Sequence, residues 1–306
     1  MNLVIALGGN ALLNPRKKSS YETYEETVNS TCRELARIIR EGHRVAITHG
    51  NGPQVGDIML QQEKAKTISL PLDVDVAETQ GQIGYLLERG LYNELEKAGI
   101  ERKIITILTQ VLVDPKDPAF SKPSKPVGRF YSKSEMLKLP KSYSMAKING
   151  KYRRVVPSPK PQDILEKGVI KLLFEKNHLL IVSGGGGIPV IKEKKKIRGM
   201  EAVIDKDMTA GLLAKTLKAD MLLILTDIDG VYLDFGQESQ RRLDKLTASQ
   251  ALKYLKEGQF REGSMGPKVQ ACIDFVKATK GAAVIARLKD AYKAMHKKAG
   301  TEIGYL

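Results

Sequence analysis

Three lysines in this sequence lie where they could bind a phosphate group that is being transferred. Lys206 stands in EAVIDKD at a predicted helix start, and Lys268 stands in GSMGPKV at the start of another. The positive end of a helix dipole repels the charge of a lysine such as Lys268, and an anion bound between the helix start and the lysine would offset this repulsion. Lys125, in KPVGRF, is a weaker candidate, because taken alone it is typical of a solvated side chain.

The two aspartates that flank Lys206 have two possible roles. A carboxylate at a helix start can cap the helix, and Asp207 is the better candidate for that role. Asp205 could instead hold a lysine ammonium group over a phosphate. The TDIDG turn at 226–230 offers two more carboxylates. That pattern is also typical of an ordinary turn, so we expect no metal ligand there.

Glycine-rich turns follow four of the apolar segments. Glycine lets a ligand approach the backbone closely, and unpaired N–H groups at helix starts bind anions. The sequence has neither GxxxxGK[ST] nor GxGxxG followed by an acidic residue, so a phosphate would be bound by other means. One such turn is more often structural, but four together favour a binding site. They are GGN at 8–10, HGNGP at 49–53, SGGGG at 183–187 and TDIDG at 226–230.

The elements that carry these turns alternate between strand and helix. This alternation predicts an α/β fold with a mainly parallel sheet covered on both faces. Ligands bind such sheets at the carboxyl ends of the strands, so we expect all four turns on one rim. The predicted strands are 3–7, 44–48, 103–109, 178–182, 221–225 and 282–286, with a short strand in GTEIGYL. The predicted helices are 21–41, 54–65, 75–98, 162–176, 206–218, 247–256, 266–279 and 288–297.

The stretch from 114 to 161 differs in composition from the rest of the chain. It is rich in proline, lysine and serine, as in DPKDP, KPSKP and PSPKP. We interpret it as an inserted excursion or lid with a short hairpin near 151–156. KEKKK at 192–196 is predicted to be the tip of another hairpin.

Length and composition limit the classes of protein to which this chain can belong. A chain of 306 residues with 42% hydrophobic residues can bury a large core and form two lobes. The net charge of +15 would attract small anionic substrates. It would equally fit a lysine-rich thermophile surface or a nucleic-acid binder, but no nucleic-acid-recognition motif is present.

Cysteine usage and hydropathy indicate the compartment. Cys32 and Cys272 lie in helix-like segments, so we predict two buried free thiols and a reducing cytoplasm. No apolar run is long enough to span a bilayer, and the early first strand leaves no room for a signal peptide. The four histidines show no zinc spacing with the cysteines. We therefore expect no membrane, nucleic-acid or protein-bound metal partner.

Longer motifs match a known family. GGNAL at 8–12 and THGNGPQVG at 48–56 are the specific ones, and EAVIDKD, LTDIDGVY and GSMGPKV add to them. On these motifs the chain resembles the amino acid kinase family along essentially its whole length, and within it the carbamate kinases. Aspartokinases and acetylglutamate kinases have different glycine-rich turns at the first motif. The stretch from 114 to 161 matches the family's protruding subdomain.

The resemblance implies a fold and a reaction. The fold is a three-layer αβα sandwich with a mainly parallel sheet of about eight strands and a small protruding subdomain. The reaction is ATP + carbamate ⇌ ADP + carbamoyl phosphate, with Mg²⁺ held mainly by the phosphates. Residues 1–190 would bind carbamate or carbamoyl phosphate, and residues 191–306 would bind ATP or ADP. The resemblance also implies a homodimer and a role in arginine catabolism, in the direction of ATP synthesis.

The resemblance also implies roles for individual residues. Lys125, Lys206 and Lys268 would contact the phosphate, and Asp205 would orient the lysines. Carbamate is already an anion and needs no general base, so we interpret His49 as structural. The substrate would lie on Gly8, Gly9, Asn10, Gly50, Asn51 and Gly52. The nucleotide would contact Gly184, Gly185, Thr226, Asp227, Tyr232, Met265, Gly266 and Pro267.

Three other functions compete with this one. A kinase of the same fold could act on another small carboxylate or phosphate, but the GGNAL and HGNGPQVG turns count against it. A sensor without turnover would not need Lys125, Asp205, Lys206 and Lys268 together. A basic nucleic-acid binder would leave the glycine turns unexplained.

Overall fold

Strands and helices alternate along the chain, as the hydrophobic pattern predicts. The computed structural model describes residues 1–9, 12–13, 20–65, 68–261 and 263–305. In chain order the strands are β1 (Asn2–Leu7), β2 (Arg44–His49), β3 (Ile104–Ile107), β4 (Gln110–Val113), β5 (Lys125–Tyr131), β6 (Met145–Ile148), β7 (Lys151–Val156), β8 (Pro161–Ile164), β9 (Leu179–Val182), β10 (Ile188–Glu193), β11 (Lys196–Gly199), β12 (Met221–Thr226), β13 (Val231–Leu233), β14 (Arg241–Leu243), β15 (Lys245–Thr247), β16 (Ala282–Arg287) and β17 (Thr301–Gly304). The helices are α1 (Tyr21–Ile39), α2 (Gly52–Ala65), α3 (Leu72–Glu96), α4 (Lys133–Met136), α5 (Lys167–Glu175), α6 (Lys206–Thr216), α7 (Ala248–Lys256), α8 (Met265–Thr279) and α9 (Ala291–Met295).

An eight-stranded sheet forms the middle layer, in the order β15-β17-β16-β12-β1-β2-β9-β3. Its neighbouring strands run parallel except β16 and β17, which are antiparallel. The predicted mainly parallel sheet is confirmed. Strand β1 is apolar and buried from Leu3 to Leu7 because helices cover both faces of the sheet.

The two faces of the sheet pack into separate apolar cores. Leu3, Ile5 and Leu7 of β1 face a core formed with α1, α3 and α9. Val4 and Ala6, which alternate with them, face a core formed with α5, α6, α7 and α8. The three-layer αβα sandwich is therefore confirmed.

The cysteines and the helix ends follow the sequence-based predictions closely. Cys32 and Cys272 are buried free thiols, one in each core. Gly42 follows the end of α1 with a φ of +78°, as expected for a glycine just past a helix C-terminus. No helix in the described part of the chain has the length and apolar character needed to cross a membrane.

The stretch from 114 to 161 contains more structure than the single predicted hairpin. Strands β5, β7 and β6 form a three-stranded antiparallel sheet, which we call the protruding subdomain (residues 125–156). The predicted helix over 162–176 is wrong at its start, because Pro161–Ile164 is strand β8 and α5 begins at Lys167. Ile164 is fully buried opposite Val111 of β4, and this tertiary pairing overrides the local helical pattern.

A second sheet, in the order β11-β10-β4-β8, lies next to the subdomain. Its β10–β11 hairpin has KEKKK at its tip, which confirms that prediction. The predicted lobe boundary between residues 190 and 191 falls inside β10.

Candidate active site

Four neighbouring strands bring the glycine-rich turns together. Strands β12, β1, β2 and β9 are adjacent and parallel, and each ends in one of the four turns. Hydrogen bonds join the turns: Gly8 N donates to Leu225 O at 2.8 Å, and Gly50 N donates to Leu7 O at 3.0 Å. The prediction that all four turns share one rim is confirmed.

Two of the glycines lie in close packing at this rim. A Cβ on Gly8 would lie 3.1 Å from Leu225 O. A Cβ on Gly50 would lie 3.3 Å from Lys206 Cδ and 3.4 Å from Gly9 N. The first two turns therefore pack against each other and against the stem of a predicted phosphate-binding lysine. Gly52 is exposed at the start of α2, and Asn10 lies outside the described residues.

The SGGGG turn lies against the HGNGP turn. A Cβ on Gly184 would lie 2.4 Å from His49 Nε2, and one on Gly185 would lie 2.2 Å from Asn51 Nδ2. Gly185 also has a φ of +66°, which favours glycine. Both glycines were predicted to contact the nucleotide. The structure places Gly185 against Asn51, which was predicted to hold the substrate, and Gly184 against His49 of the same turn.

Helix α3 connects these turns through two buried polar side chains that the sequence did not single out. Thr79 Oγ1 accepts a hydrogen bond from Asn51 Nδ2 at 2.9 Å. Gln80 Nε2 donates to Gly184 O at 2.9 Å, and its Oε1 accepts from Thr109 N at 2.8 Å. Thr79 and Gln80 are almost fully buried. No local pattern marks them, because only the tertiary structure shows which backbone groups they face.

Lys206 and Lys268 share one buried carboxylate, that of Asp207. Asp207 Oδ1 accepts from Lys206 Nζ at 2.5 Å, and Oδ2 accepts from Lys268 Nζ at 2.9 Å. The side chain of Asp207 is 3% exposed, and each lysine side chain is 14% exposed. The anion that Lys268 needs at its helix start is thus supplied from within the protein.

Charge and burial oppose each other in this cluster. Burial disfavours the charged form of Asp207, but the two lysines outweigh it and lower its pKa to about 2. Burial lowers the pKa of Lys206, with Lys268 acting in the same direction and Asp207 opposing. Burial also disfavours the charge on Lys268, but Asp207 raises its pKa overall. The carboxylate stays ionised and keeps two ammonium groups at one point.

Asp205, rather than Asp207, caps α6, which corrects the prediction. Asp205 Oδ1 accepts from Asp207 N at 3.0 Å. Its Oδ2 accepts from Lys125 Nζ of the protruding subdomain at 2.7 Å. Asp205 therefore contacts one predicted phosphate-binding lysine, and Asp207 contacts the other two. Two features of the sequence could have identified Asp207 as the partner of both lysines. It follows Lys206 by one residue, and Lys268 lies at a helix start, where its charge needs a nearby anion.

A cavity of about 600 Å³ opens beside the two lysines. Gly8 and Gly9 line it on one side, and the TDIDG turn and the start of α8 line it on the other. Thr226 Oγ1 donates to Asp227 Oδ1 at 3.1 Å, and Tyr232 OH donates to Asp229 Oδ1 at 2.8 Å. The predicted site residues in its wall are Gly8, Gly9, Lys206, Thr226, Asp227, Tyr232, Met265 and Lys268.

Two further predicted nucleotide residues lie next to this cavity. Gly266 and Pro267 form the first turn of α8 between Met265 and Lys268. Gly266 N donates to Arg261 O at 3.0 Å, and Arg261 also lines the cavity. Their backbone fixes the direction in which Lys268 leaves the helix.

His49 is fully buried behind the rim. Burial lowers its pKa to about 4, with nearby Lys206 acting in the same direction. Its Nδ1 lies 3.0 Å from Gly50 O, a geometry in which a neutral ring donates to the carbonyl. A neutral, enclosed imidazole shapes the turn and is poorly suited to take up a proton from a substrate.

Comparisons with known proteins agree with one another. The model of the amino acid kinase family matches residues 1–287. The carbamate kinase of Thermococcus kodakarensis is 46% identical over 98% of both chains, and that of Pyrococcus horikoshii is also 46% identical over 98% of both. The structure of carbamate kinase from Giardia lamblia bound to AMP-PNP superposes with a TM-score of 0.93 at 43% identity, covering 99% of this chain and 98% of that chain.

Proposed function

Because the chain belongs to the amino acid kinase family and is a phosphotransferase, we propose that it catalyses ATP + carbamate ⇌ ADP + carbamoyl phosphate. The observation that carries the proposal is the Asp207 cluster, in which Lys206 and Lys268 meet between the glycine turns and the 600 Å³ cavity. ATP and ADP would occupy this cavity as substrates. The relative bound to AMP-PNP supports a nucleotide site in this fold.

The phosphoryl group passes between two anions, so the protein mainly positions them and offsets their charge. Carbamate or carbamoyl phosphate would lie on Gly8–Gly9 and Gly50–Gly52. The N–H groups of Gly8 and Gly50 donate to Leu225 and Leu7, so those of Gly9, Asn51 and Gly52 would face the substrate. Lys206 and Lys268 would contact the transferring group from the cavity side. The attacking carbamate oxygen carries charge already, so no side chain has to remove a proton from it. The burial of His49 is consistent with this.

Magnesium would be held mainly by the nucleotide phosphates. The cavity wall offers the Thr226 hydroxyl and the Asp227 carboxylate, and these oxygen donors suit Mg²⁺. When bound, the ion offsets charge on the phosphates. The Thr226 hydroxyl would donate to the phosphates that carry the ion, the Asp227 carboxylate would face the ion itself, and the lysines would act on the group being transferred.

The proposed reaction is tested by ATP formation from ADP, Mg²⁺ and carbamoyl phosphate. Wild-type protein should form ATP, and Lys206→Ala and Lys268→Ala should each lower turnover about 10²- to 10³-fold, as for the loss of one preorganised donor. Lys171→Ala is the matched control, because it removes an exposed helical lysine of α5 that lines neither the 600 Å³ cavity nor the 900 Å³ cavity at the opposite end of the central sheet. Wild-type turnover in both site variants would refute the assignment. Nucleotide binding without ATP formation would indicate another acceptor.

The protruding subdomain would close over the site and deliver Lys125. Its contact with Asp205 supports this role, and water exclusion has a chemical purpose because carbamate and carbamoyl phosphate decompose in water. Ser124 N donates to Val156 O at 3.2 Å, so residues 125–156 can be replaced by a short Gly/Ser link. We expect that variant to fold and to lose turnover. Undiminished turnover would contradict a lid.

The protein would act as a homodimer. Strand β3 is an outer strand of the central sheet, and Tyr85 and Tyr92 of α3 lie beside it, 60% and 58% exposed. An unpaired outer strand flanked by exposed aromatic rings suits contact with a second copy. Sedimentation should give a dimer that Tyr92→Glu weakens and Tyr305→Glu, at another exposed tyrosine, leaves intact. A monomeric wild type would rule the dimer out.

Residues 1–190 would bind carbamate or carbamoyl phosphate, and residues 191–306 would bind the nucleotide. Strand β10 connects the two lobes.

Carbamoyl phosphate is a mixed anhydride and a strong phosphoryl donor, so we infer that the enzyme runs toward ATP synthesis, as in arginine catabolism. Two buried free thiols fit a reducing cytoplasm.

A further inference from the structure

A second cavity lies at the opposite end of the central sheet from the glycine turns. It is open to the surface, has a volume of about 900 Å³ and is lined by residues just before β12, such as Lys218 and Asp220, and just before β16, such as Gly281. The ends of α6 and α8 and the end of β17 complete the wall. None of the predicted site residues lines it.

The wall of this cavity is strongly basic. Five lysines line it, against the carboxylates of Asp220 and Glu302. Asp220 Oδ2 already accepts from Asn2 N at 2.7 Å, and Glu302 is shared by Lys245 at 3.9 Å and Lys297 at 2.5 Å. The lysines are Lys215, Lys218, Lys245, Lys280 and Lys297.

Several of these positive charges remain uncompensated. In the described part of the chain, Lys215 and Lys218 have no carboxylate within ion-pair distance. Lys280 Nζ lies 5.6 Å from the centroid of the Tyr305 ring rather than against an acid. With five lysines and two carboxylates, the wall carries an excess of three positive charges.

Helix dipoles explain only part of this arrangement. A lysine in the last turn of a helix complements the carbonyl ends, which accounts for a lysine after α6, α8 or α9 taken singly. It does not account for the convergence of all three helix ends on one cavity. It also leaves out Lys245, which belongs to a strand. Lys218, Lys280 and Lys297 moreover have φ of +48°, +59° and +58°, a region that usually selects glycine or asparagine.

We propose that this cavity, which we call the basic cavity, binds a diphosphate group at a site separate from the glycine rim. An excess of three positive charges suits a multiply charged anion better than a single carboxylate, and lysine ammonium groups bind phosphate as point charges. The volume is in the range of small-molecule sites. Free pyrophosphate and the diphosphate of a nucleotide share this chemistry.

One ligand cannot occupy both sites. Lys215 follows Lys206 by nine residues on α6, about 14 Å along the helix axis. Lys280 follows Lys268 by twelve residues on α8, about 18 Å along its axis. The two sites are therefore tested independently.

The test is calorimetric titration with inorganic pyrophosphate at low ionic strength, in protein carrying Lys206→Ala and Lys268→Ala. We expect about one equivalent to bind, with an affinity that falls as salt is added. Adding Lys218→Ala and Lys280→Ala should weaken binding at least about tenfold. The matched control adds Lys192→Ala and Lys195→Ala, exposed lysines of the β10–β11 hairpin, and should change nothing. Lys218→Arg and Lys280→Arg should retain binding.

Titration with ADP separates the two sources of the diphosphate. ADP would also enter the 600 Å³ cavity, so only the part of its binding that Lys218→Ala and Lys280→Ala remove is assigned to the basic cavity. For that part, an affinity equal to that of pyrophosphate means that the phosphates alone are recognised, and a higher affinity means that the base adds a contact, such as one with Tyr305. Binding of ADP without binding of pyrophosphate would overturn the proposal, as would binding that Lys218→Ala and Lys280→Ala leave unchanged.

A second measurement uses unmodified protein. Pyrophosphate should protect Lys215 and Lys218 from acetylation, as read by mass spectrometry, while Lys192 and Lys195 react as before. Equal reactivity with and without pyrophosphate would overturn the proposal. Neither measurement depends on turnover, so the proposed function can fail without affecting this result.

Discussion

The lysine contacts of Asp205 and Asp207, two residues apart on the chain, differ in where in the fold they are made. The Asp207 cluster joins α6 to α8 inside the central fold, and its carboxylate is 3% exposed. The Lys125–Asp205 contact joins the start of α6 to the protruding subdomain, and its side chains are 29% and 16% exposed. The first contact is built into the sandwich. The second depends on the subdomain lying against the body of the protein.

The difference separates charge fixed inside the central fold from charge that the proposed lid would move. Buried Asp207 holds two ammonium groups inside the central fold. The Lys125 ammonium group lies on a separate three-stranded sheet, and opening that sheet would break the Lys125–Asp205 contact together with the Arg129–Glu63 and Arg154–Glu201 ion pairs. A site that must admit reactants and exclude water needs both kinds of charge.

The largest difference in stability between the two contacts is expected for Asp207→Asn. This change leaves two buried lysines without their shared carboxylate, and we expect the free energy of unfolding to fall by about 3–5 kcal/mol. Urea denaturation measures it. Asp205→Asn is the matched control and should cost less than about 1 kcal/mol, because asparagine caps a helix as well as aspartate does. Equal losses in the two variants would contradict the distinction between the contacts.

The pH dependence of the free energy of unfolding tests the buried part of the site, through His49. The folded protein holds the pKa of His49 at about 4, below the ordinary value of 6.5. The unfolded chain therefore takes up this proton first as the pH falls. The stabilisation is complete above about pH 6.5 and is lost between there and about pH 4, by about 3 kcal/mol.

His49→Gln should remove that share of the pH dependence of unfolding. His296→Gln is the control, because His296 is 38% exposed and pairs with Glu41 at the surface. Urea denaturation from pH 7 to pH 4 gives both slopes. An unchanged slope in His49→Gln would mean that the pKa of His49 is the same in the folded and the unfolded protein, so that its burial carries no pH dependence.

The smallest effect on stability is expected for Lys125→Ala. A partly exposed ion pair contributes about 0–1 kcal/mol, so the free energy of unfolding should hardly change. Turnover should nevertheless fall by about tenfold or more if Lys125 contacts the phosphate in the closed protein. Lys133→Ala, an exposed lysine of the same subdomain, controls for lost surface charge. Full turnover in Lys125→Ala would mean that the Lys125–Asp205 contact is only structural and that Lys125 does not act on the phosphate.

Local patterns predicted most of the scaffold. The apolar run Leu3–Leu7 and the alternation of strands with helices predicted the parallel sheet, since period and burial are properties of neighbouring residues. The glycine turns predicted the rim, because parallel strands place their carboxyl ends together. The start of α5 was misjudged because β8 forms by pairing with distant β4.

The sequence by itself determined the types of the groups: glycines where backbones must meet, lysines at two helix starts, and carboxylates beside them. Only the tertiary structure decided which carboxylate serves which lysine. Asp205 and Asp207 are near equivalents in the sequence, and the choice between them depends on where α8 packs on α6 and where the protruding subdomain reaches. It likewise brought Gly184 to His49 and Gly185 to Asn51, and five distant lysines to one cavity. Long-range contacts of this kind depend on how whole elements pack, and no local spacing encodes them.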